Sequence, residues 1–174
     1  MKSEKIIICG PSGSGKDYLQ RQMVARGLKF SPKLTTRPPR SGESDGRDYM
    51  FVEDAEFGEM ERDGKIKTCQ SFSVNESTWH YAITRQGFDE GQVFIMTPAE
   101  IGQLTPEERK GCFVVYLAID EQTRLSRVLG RQDRNDSVTR RFLADRSDFE
   151  RFADYDMKVT DPEFDPDLIY DLMS

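Results

Sequence analysis

Short apolar runs alternate with amphipathic stretches along most of this 174-residue chain. Runs rich in β-branched residues predict buried strands at 6–9, 93–96, 112–118 and 157–159. Stretches with a helical period predict helices at 16–26, 120–129 and 137–152, and a last helix from Asp165 onward. Strands that alternate with helices in this order predict an α/β fold with a parallel sheet.

The segment from Leu34 to Thr84 has a different pattern, with short strands, turns and one helix near 55–62. This pattern predicts an insertion that folds against the α/β core. No internal repeat, low-complexity tract or linker interrupts the sequence. We therefore expect a single domain that contains the insertion.

Composition and charge narrow the classes of partner. The formal net charge of −6 argues against a broad surface for a nucleic acid polymer or an anionic membrane, since both need a basic face. No apolar run approaches the roughly 20 residues that a membrane helix requires. The three cysteines are widely spaced, which favours a reducing compartment, and we expect the cytoplasm. The oligomeric state is left open by these patterns.

The loop after the first strand matches the phosphate-binding pattern G-x-x-x-x-G-K. Its residues are Gly10, Pro11, Ser12, Gly13, Ser14, Gly15, Lys16 and Asp17. A strand precedes it and a helix follows it, which is the context that this pattern requires. Glycines let backbone N–H groups surround a phosphate, the helix N-terminus adds its positive dipole end, and the lysine neutralises phosphate charge. The loop predicts an ATP site; a solvated turn is the alternative.

A second set of phosphate-binding residue types lies in the segment TTRPPRSGESDGRDYMFV, residues 35–52. Arg37, Arg40 and Arg47 belong to a loop held by prolines, and Tyr49 adds a hydroxyl donor. Guanidinium groups match phosphate oxygens in pairs, so this segment suits a second phosphate. A solvated basic loop is the alternative that the spacing alone leaves open.

These motifs resemble those of the guanylate kinase family of nucleoside monophosphate kinases. The resemblance rests on GPSGSGK, on residues 35–52 with the EFGEM helix that follows, and on RVLGR and SVTRRF later in the chain. It implies a P-loop kinase core with a parallel sheet, an inserted monophosphate-binding subdomain and a short lid. On this chain the core would be 1–33, 86–130 and 147–174, the insertion 34–85 and the lid 131–146.

The resemblance also implies roles for individual residues in the insertion. Binding of the acceptor monophosphate is implied for Arg37, Arg40, Tyr49 and Tyr81. Glu43 would brace the arginine loop. All five residues are therefore expected at the substrate.

Three cations are expected in catalysis. They are Lys16 of the loop and, as the resemblance implies, two lid arginines that reach the transferred phosphoryl group, Arg131 and Arg141. Phosphoryl transfer depends on alignment and on neutralisation of the phosphate oxygens, which such cations supply. Ordinary solvated charge at helix ends is the alternative for the two lid arginines.

Base recognition is where the chain departs from the family pattern. Family members read guanine with a hydroxyl, a glutamate and a second hydroxyl, at positions that correspond here to Lys33, Thr68 and Ile83. A carboxylate accepts from both N1–H and the 2-amino group of guanine, whereas a threonine cannot accept such a matched pair. Thr97 and Ala99 also stand in place of an acidic segment. We expect Thr68 at the acceptor base, and weaker exclusion of bases other than guanine.

Asp17 stands where the family has the Ser or Thr that ligates Mg²⁺. A carboxylate can take this role directly or through a water, because Mg²⁺ prefers oxygen ligands. The alternative is an acid that is stabilised by the helix dipole in the first turn. The same GKD junction also occurs in ribose bisphosphokinases, which phosphorylate a sugar phosphate.

The sequence thus predicts an enzyme that transfers a phosphoryl group from ATP, with Mg²⁺, to a nucleoside monophosphate such as GMP or dGMP. A sugar-phosphate kinase is one alternative. The other is a non-catalytic guanylate kinase-like module that binds phosphorylated peptides. Such modules have degraded phosphate loops, whereas Gly10, Gly15 and Lys16 are all present here.

Overall fold

The computed structural model describes residues 3–74, 76–130 and 138–173. The chain divides into two compact units, of which one joins Met1–Leu28 with Val93–Ser174 and the other is Lys29–Gln92. The second unit starts five residues before the insertion predicted at 34–85. It also ends beyond this insertion, because it includes the helix at Arg85–Glu90. The lid predicted at 131–146 is described only from residue 138 onward.

The elements alternate along the chain as the sequence indicates. The strands are β1 (Lys5–Cys9), β2 (Lys33–Thr35), β3 (Tyr49–Phe51), β4 (Ile66–Val74), β5 (Ser77–Thr84), β6 (Val93–Ile95), β7 (Cys112–Leu117) and β8 (Met157–Val159). The helices are α1 (Lys16–Ala25), α2 (Asp54–Arg62), α3 (Arg85–Glu90), α4 (Pro98–Ile101), α5 (Pro106–Lys110), α6 (Glu121–Leu129), α7 (Val138–Phe149) and α8 (Pro166–Met173).

The first unit is built on a four-stranded sheet in the order β6-β1-β7-β8, with every pairing parallel. Central strands of a parallel sheet are covered on both faces, so they are apolar at consecutive positions. Ile6, Ile7 and Ile8 of β1 are accordingly fully buried, as are Val114 and Val115 of β7. The predicted α/β fold with a parallel sheet is confirmed.

The ends of β1 and β7 determine where a ligand site can form. Cys9 at the end of β1 pairs with Tyr116 near the end of β7, so the segments that follow both strands leave the sheet at the same edge. Ligands of open α/β sheets bind at this carboxyl edge. The segment after β1 leads into α1, and the segment after β7 leads into α6, which Asp120 caps by accepting from the Thr123 N–H at 2.9 Å.

The predicted helix at 137–152 was too long by one turn. The structure ends α7 at Phe149, and a turn follows at 150–151. Phe152 then packs edge-on against Tyr116 with ring centroids 5.3 Å apart, while Phe149 stacks on Tyr116 at 5.3 Å. Aromatic packing on β7 therefore accounts for the end of the helix, and a helical period cannot signal such a contact.

The second unit has a mixed sheet in the order β3-β2-β5-β4. One face is covered by α2, where Phe57 packs with Leu34 and Ala82, and Cys69 lies against this cluster. Side chains of a strand alternate between the two faces. Thr68 and Gln70, on either side of Cys69, therefore project from the opposite face of the sheet.

No helix in the three described ranges is long and apolar enough to cross a membrane. Cys9, Cys69 and Cys112 form no disulfide. Burial raises the pKa of Cys112 to about 11, so this thiol stays protonated at neutral pH and acts as a small apolar side chain.

Candidate active site

The phosphate loop, residues 10–17, has a backbone that requires glycine at several positions. Gly13 and Gly15 have φ angles of 78° and 101°, in the left-handed region. A Cβ at Gly13 would also lie 2.6 Å from the Arg124 carbonyl oxygen, and one at Gly10 would lie 2.9 Å from the Leu117 carbonyl oxygen. The glycines therefore permit both the turn itself and its close packing against β7 and α6.

Lys16 lies against the carbonyl side of this loop. Its Nζ donates to the carbonyl oxygens of Gly10 at 2.6 Å and Pro11 at 3.1 Å. Ser14 is fully buried, and its hydroxyl has no hydrogen-bond partner among the described residues. Gly15 precedes α1 without a side-chain cap. A bound phosphate would accept from the Ser14 hydroxyl and from the first N–H groups of α1, so these residues fit the predicted ATP site.

Two arginines of α6, neither of which was predicted as a site residue, bind the outer side of the loop. Arg124 is buried, and its guanidinium donates to the carbonyl oxygens of Ile119 at 3.0 Å and Ser12 at 3.2 Å. Arg127 donates to the carbonyl oxygen of Gly13 at 3.2 Å. The available sequence signal was their spacing of three, which puts two residues on one helix face.

A carboxylate from α7 also contacts the loop. Asp145 Oδ2 accepts from the Ser12 N–H at 2.8 Å, and this amide is one of those that such a loop offers to phosphate. The same carboxylate lies 3.8 Å from Arg124 Nη1. A cavity of about 540 Å³ adjoins these groups and is also lined by Pro11 and Tyr116. No local pattern of the sequence indicates Asp145, because only folding brings it beside a residue 133 positions away.

Asp17 is an exposed residue in the first turn of α1. The described ranges contain no group of three or more His, Cys, Asp or Glu side chains that could hold a metal ion. A Mg²⁺ ion at Asp17 would therefore take its other ligands from phosphate oxygens and water, which is how nucleotide sites usually bind this ion. The residues present fit such an ion with one carboxylate from the protein.

The two predicted lid arginines are described to different extents. Arg131 lies outside the described residues. Arg141 lies in the first turn of α7 and is half-buried. Their proposed contact with the transferred phosphoryl group stays a prediction.

Thr97, which stands in place of an acidic residue, has a structural role. Its Oγ1 accepts from the Glu100 N–H at 3.3 Å, and the Glu100 carboxylate accepts from the Thr97 N–H at 2.9 Å. With Pro98 as the first helical residue, this reciprocal pair is a capping box that begins α4. The change from the family pattern therefore has a local structural explanation.

Arg37 is the centre of the predicted acceptor site in the second unit. It is 2% exposed, and its guanidinium donates two parallel hydrogen bonds of 2.9 Å to the Glu43 carboxylate. Its Nε donates to the Tyr81 hydroxyl at 3.1 Å, and its Cζ lies 5.1 Å from the Tyr49 ring centroid. The backbone N–H of Arg40 donates to Glu43 at 2.7 Å. The structure thus brings together all five residues that were expected at the acceptor phosphate.

The charges of Arg37 and Glu43 support each other. Burial alone would lower the pKa of Arg37, but the hydrogen bonds to Glu43 and the neighbouring charges raise it above its usual value. Burial alone would raise the pKa of Glu43, but its bonds from Arg37 and from the Arg40 N–H hold it below its usual value. Both groups are charged at neutral pH, and the carboxylate fixes the plane of the guanidinium.

The residues expected at the acceptor base lie on the sheet face opposite α2. Thr68 lies directly across from Ile83 in the β4–β5 ladder, and both are fully buried. The next residue on this face, Gln70, lies across from Tyr81. Gln70 was not singled out from the sequence, although strand alternation from Thr68 was a signal for it.

Comparisons with known proteins indicate the same family along nearly the whole chain. The model of the guanylate kinase family matches residues 2–172. A guanylate kinase of Bradyrhizobium diazoefficiens is 31% identical over 168 residues, which cover 91% of this chain and 75% of that protein. A guanylate kinase of Alkalilimnicola ehrlichii is 30% identical over 171 residues, which cover 93% of this chain and 82% of that protein.

A solved structure is similar in its fold. The crystal structure of a guanylate kinase from Anaplasma phagocytophilum superposes with a TM-score of 0.70 at 18% sequence identity. The match covers 99% of this chain and 85% of the other. At this level of identity, the likeness establishes the shared fold alone.

Asp145→Asn tests the carboxylate at the phosphate loop. We expect the variant to bind ATP about fivefold more tightly, because removal of one negative charge near the phosphates relieves a repulsion of roughly 1 kcal/mol. Calorimetric titration of the full chain with ATP measures the change. Glu150→Gln, which removes an equal charge beside the same cavity, is the control. Weaker ATP binding by Asp145→Asn would mean that the carboxylate supports the binding shape of the loop.

Glu43→Gln tests the charge balance at Arg37. Near neutral pH we expect a loss of about 2 kcal/mol in the free energy of unfolding, since the buried guanidinium loses its charged partner. A depressed carboxyl pKa stabilises the fold above the ordinary value of about 4.3, and this contribution is lost as the pH falls through the folded-state pKa. The difference from wild type should therefore shrink in acid.

Denaturant unfolding near pH 7 and near pH 3 measures this difference. Glu59→Gln, an exposed acid on α2 of the same unit, should show neither effect. An equal loss of stability by Glu43→Gln at both pH values would contradict the ion pair as its cause.

Proposed function

This chain belongs to the guanylate kinase family and is a nucleoside monophosphate kinase, and we propose that it transfers the γ-phosphoryl group of ATP to GMP or dGMP, with Mg²⁺. The observation that supports this proposal is that each unit has a cluster of positive and hydrogen-bonding groups that suits a phosphate. The first has Lys16 at a glycine-rich loop, and the second has Arg37 held by Glu43 and Tyr81. Transfer between two phosphorylated substrates requires two such sites.

The phosphate loop would bind the β- and γ-phosphates of ATP through backbone N–H groups. Lys16 would exchange the carbonyl oxygens of Gly10 and Pro11 for phosphate oxygens, since an ammonium group binds anionic oxygens more strongly than neutral ones. Arg124 and Arg127 stabilise the loop through its carbonyl oxygens. Catalysis of this kind depends on such preorganised positive groups.

The acceptor phosphate would be bound by Arg37, Arg40, Tyr49 and Tyr81. Glu43 keeps Arg37 in one orientation, so little ordering remains to be done when the substrate binds. An oxygen of the acceptor phosphate forms the new bond to the γ-phosphorus, and the bond from that phosphorus to the β–γ bridging oxygen breaks. ADP and a nucleoside diphosphate result. Arg131 and Arg141 would neutralise the charge on the transferred group.

When bound, Mg²⁺ would supply positive charge that offsets the negative charge of the phosphates. Asp17 would hold the ion, directly or through a water. Its carboxylate adds a negative charge beside a polyanion, so this position favours nucleotide binding only when the metal is present.

Cysteines that form no disulfide suit a reducing compartment, so the cytoplasm stays our predicted location. No observation on the described residues favours the sugar-phosphate kinase or the peptide-binding module over the proposed reaction. We therefore propose neither as a second function.

Lys16→Ala tests the phosphate loop. We expect kcat for GMP phosphorylation to fall by about a hundredfold or more, because the ammonium group at the β- and γ-phosphates is lost. A coupled assay of ADP release measures the rate. Lys110→Ala, at an exposed lysine of α5, removes the same charge elsewhere and should retain the wild-type rate. Near-normal turnover by Lys16→Ala would rule out the loop as the ATP site.

Asp17→Asn tests the proposed metal ligand. We expect a higher Mg²⁺ concentration for half-maximal activity, because an amide oxygen is a poorer ligand than a carboxylate. Calorimetric binding of ATP with and without Mg²⁺ provides a second readout, in which the variant should gain less from the metal. Asp171→Asn on the exposed side of α8 is the control. Unchanged Mg²⁺ dependence in both measurements would assign Asp17 to the helix dipole instead.

A further inference from the structure

We infer that Gln70 is a specificity-determining residue of the acceptor site, and that its carboxamide oxygen and the Thr68 hydroxyl are two neutral acceptors that together read the donor edge of guanine. This inference rests on the proposed function, because it assigns the base-reading groups of the substrate whose phosphate the Arg37 cluster would bind.

Two buried polar atoms on one face of β4 carry the inference. Thr68 Oγ1 and Gln70 Oε1 are both inaccessible to solvent, and neither has a hydrogen-bond partner in the described part of the chain. The whole Thr68 residue is 0% exposed. Buried polar atoms are nearly always paired, because an unmade hydrogen bond costs stability, so each exception needs an explanation. Two such atoms at neighbouring positions of one strand face indicate that this face binds a polar group.

The strand register connects these atoms with the phosphate cluster. Gln70 lies directly across from Tyr81, and the Tyr81 hydroxyl accepts from Arg37 Nε at 3.1 Å. Thr68 follows two residues before Gln70 on the same face, about 7 Å away along the strand. The two acceptors therefore extend from the phosphate-binding residues in a single direction, as the base of a nucleotide extends from its phosphate.

The apolar core of this unit does not account for these atoms. Cys69, between the two residues, faces the cluster of Leu34 and Phe57 on the side of α2. Thr68 and Gln70 face the other way, with Ile83 directly across from Thr68 as an apolar neighbour. A planar base needs this combination of an apolar contact and a few placed polar atoms.

The chemistry of the two atoms matches guanine. Its edge presents two adjacent donors, N1–H and the 2-amino group, and a hydroxyl oxygen and a carboxamide oxygen can each accept one of them. The family pattern supplies both acceptors from one glutamate, whereas this chain would divide them between two residues. Neutral hydrogen bonds are weaker than charge-assisted ones, so the preference for guanine should be present but reduced.

Gln70→Met is the direct test, because it keeps the length of the side chain and removes both polar atoms. We expect kcat/KM for GMP to fall by about tenfold to a hundredfold through a higher KM, with a much smaller change for AMP. The ratio of GMP to AMP should fall likewise in Thr68→Val, which removes the other acceptor. In Gln70→Glu the ratio should rise, because a carboxylate offers only acceptors to the guanine edge.

Two controls separate base reading from a general effect on the fold. Gln86→Met, at an exposed glutamine of α3 in the same unit, should leave the ratio of GMP to AMP unchanged. Inorganic phosphate titrated into the full chain by calorimetry should bind Gln70→Met as it binds wild type, since its contacts are with the Arg37 cluster. Loss of phosphate binding together with GMP binding would overturn the inference, because Gln70 would then act on the packing of the sheet.

The inference and the proposed function can fail separately. A ratio of GMP to AMP in Gln70→Met within about twofold of wild type would overturn the role of Gln70 while leaving the kinase intact. A wild-type chain that phosphorylates no nucleoside monophosphate would overturn the proposed function instead. Calorimetric binding of GMP and AMP to wild type and Gln70→Met then decides the inference, which requires a preference for GMP that the variant loses.

Discussion

The close approach of the phosphate-loop backbone to β7 and α6 is the constraint on which the first unit depends. A side chain at Gly10 or Gly13 would collide with the carbonyl oxygens of Leu117 or Arg124. Because no side chain intervenes, Arg124 and Arg127 donate hydrogen bonds to the carbonyl oxygens of the loop and stabilise its conformation. These two arginines hold the loop without occupying its N–H groups, which are the groups that such a loop offers to phosphate.

In the second unit the corresponding constraint is the charge of the buried Arg37 side chain. A buried arginine is stable only with a charged partner that bonds its guanidinium, and Glu43 provides that partner in the parallel two-bond geometry. Glu43 also accepts from the backbone of Arg40, so the loop and the side chain are ordered together. The same carboxylate thus stabilises the fold and holds the Arg37 guanidinium in one orientation.

The phosphate and the base of the acceptor require different properties of the residues that bind them. A phosphate presents the same oxygens whatever base it carries, so the residues that bind it can stay constant while the acceptor changes. A base is distinguished by its pattern of donors and acceptors, and here the chain departs from the family pattern at Thr68 and Ile83. The buried oxygens of Thr68 and Gln70, which have no hydrogen-bond partner among the described residues, lie in this region, whereas Arg37 in the phosphate cluster donates to Glu43 and Tyr81.

Local features of the sequence were sufficient to predict the glycine-rich loop, to single out the arginine segment and to predict the order of strands and helices. Glycine spacing reports backbone conformations, and apolar periodicity reports burial, and both act over a few residues. Tertiary structure alone decided that Asp145 and Arg124 meet Ser12, across 133 and 112 positions of the chain. It also decided that Gln70 lies across from Tyr81, and that aromatic packing on Tyr116 ends α7 at Phe149. Such contacts depend on how distant segments pack, and no local pattern carries that information.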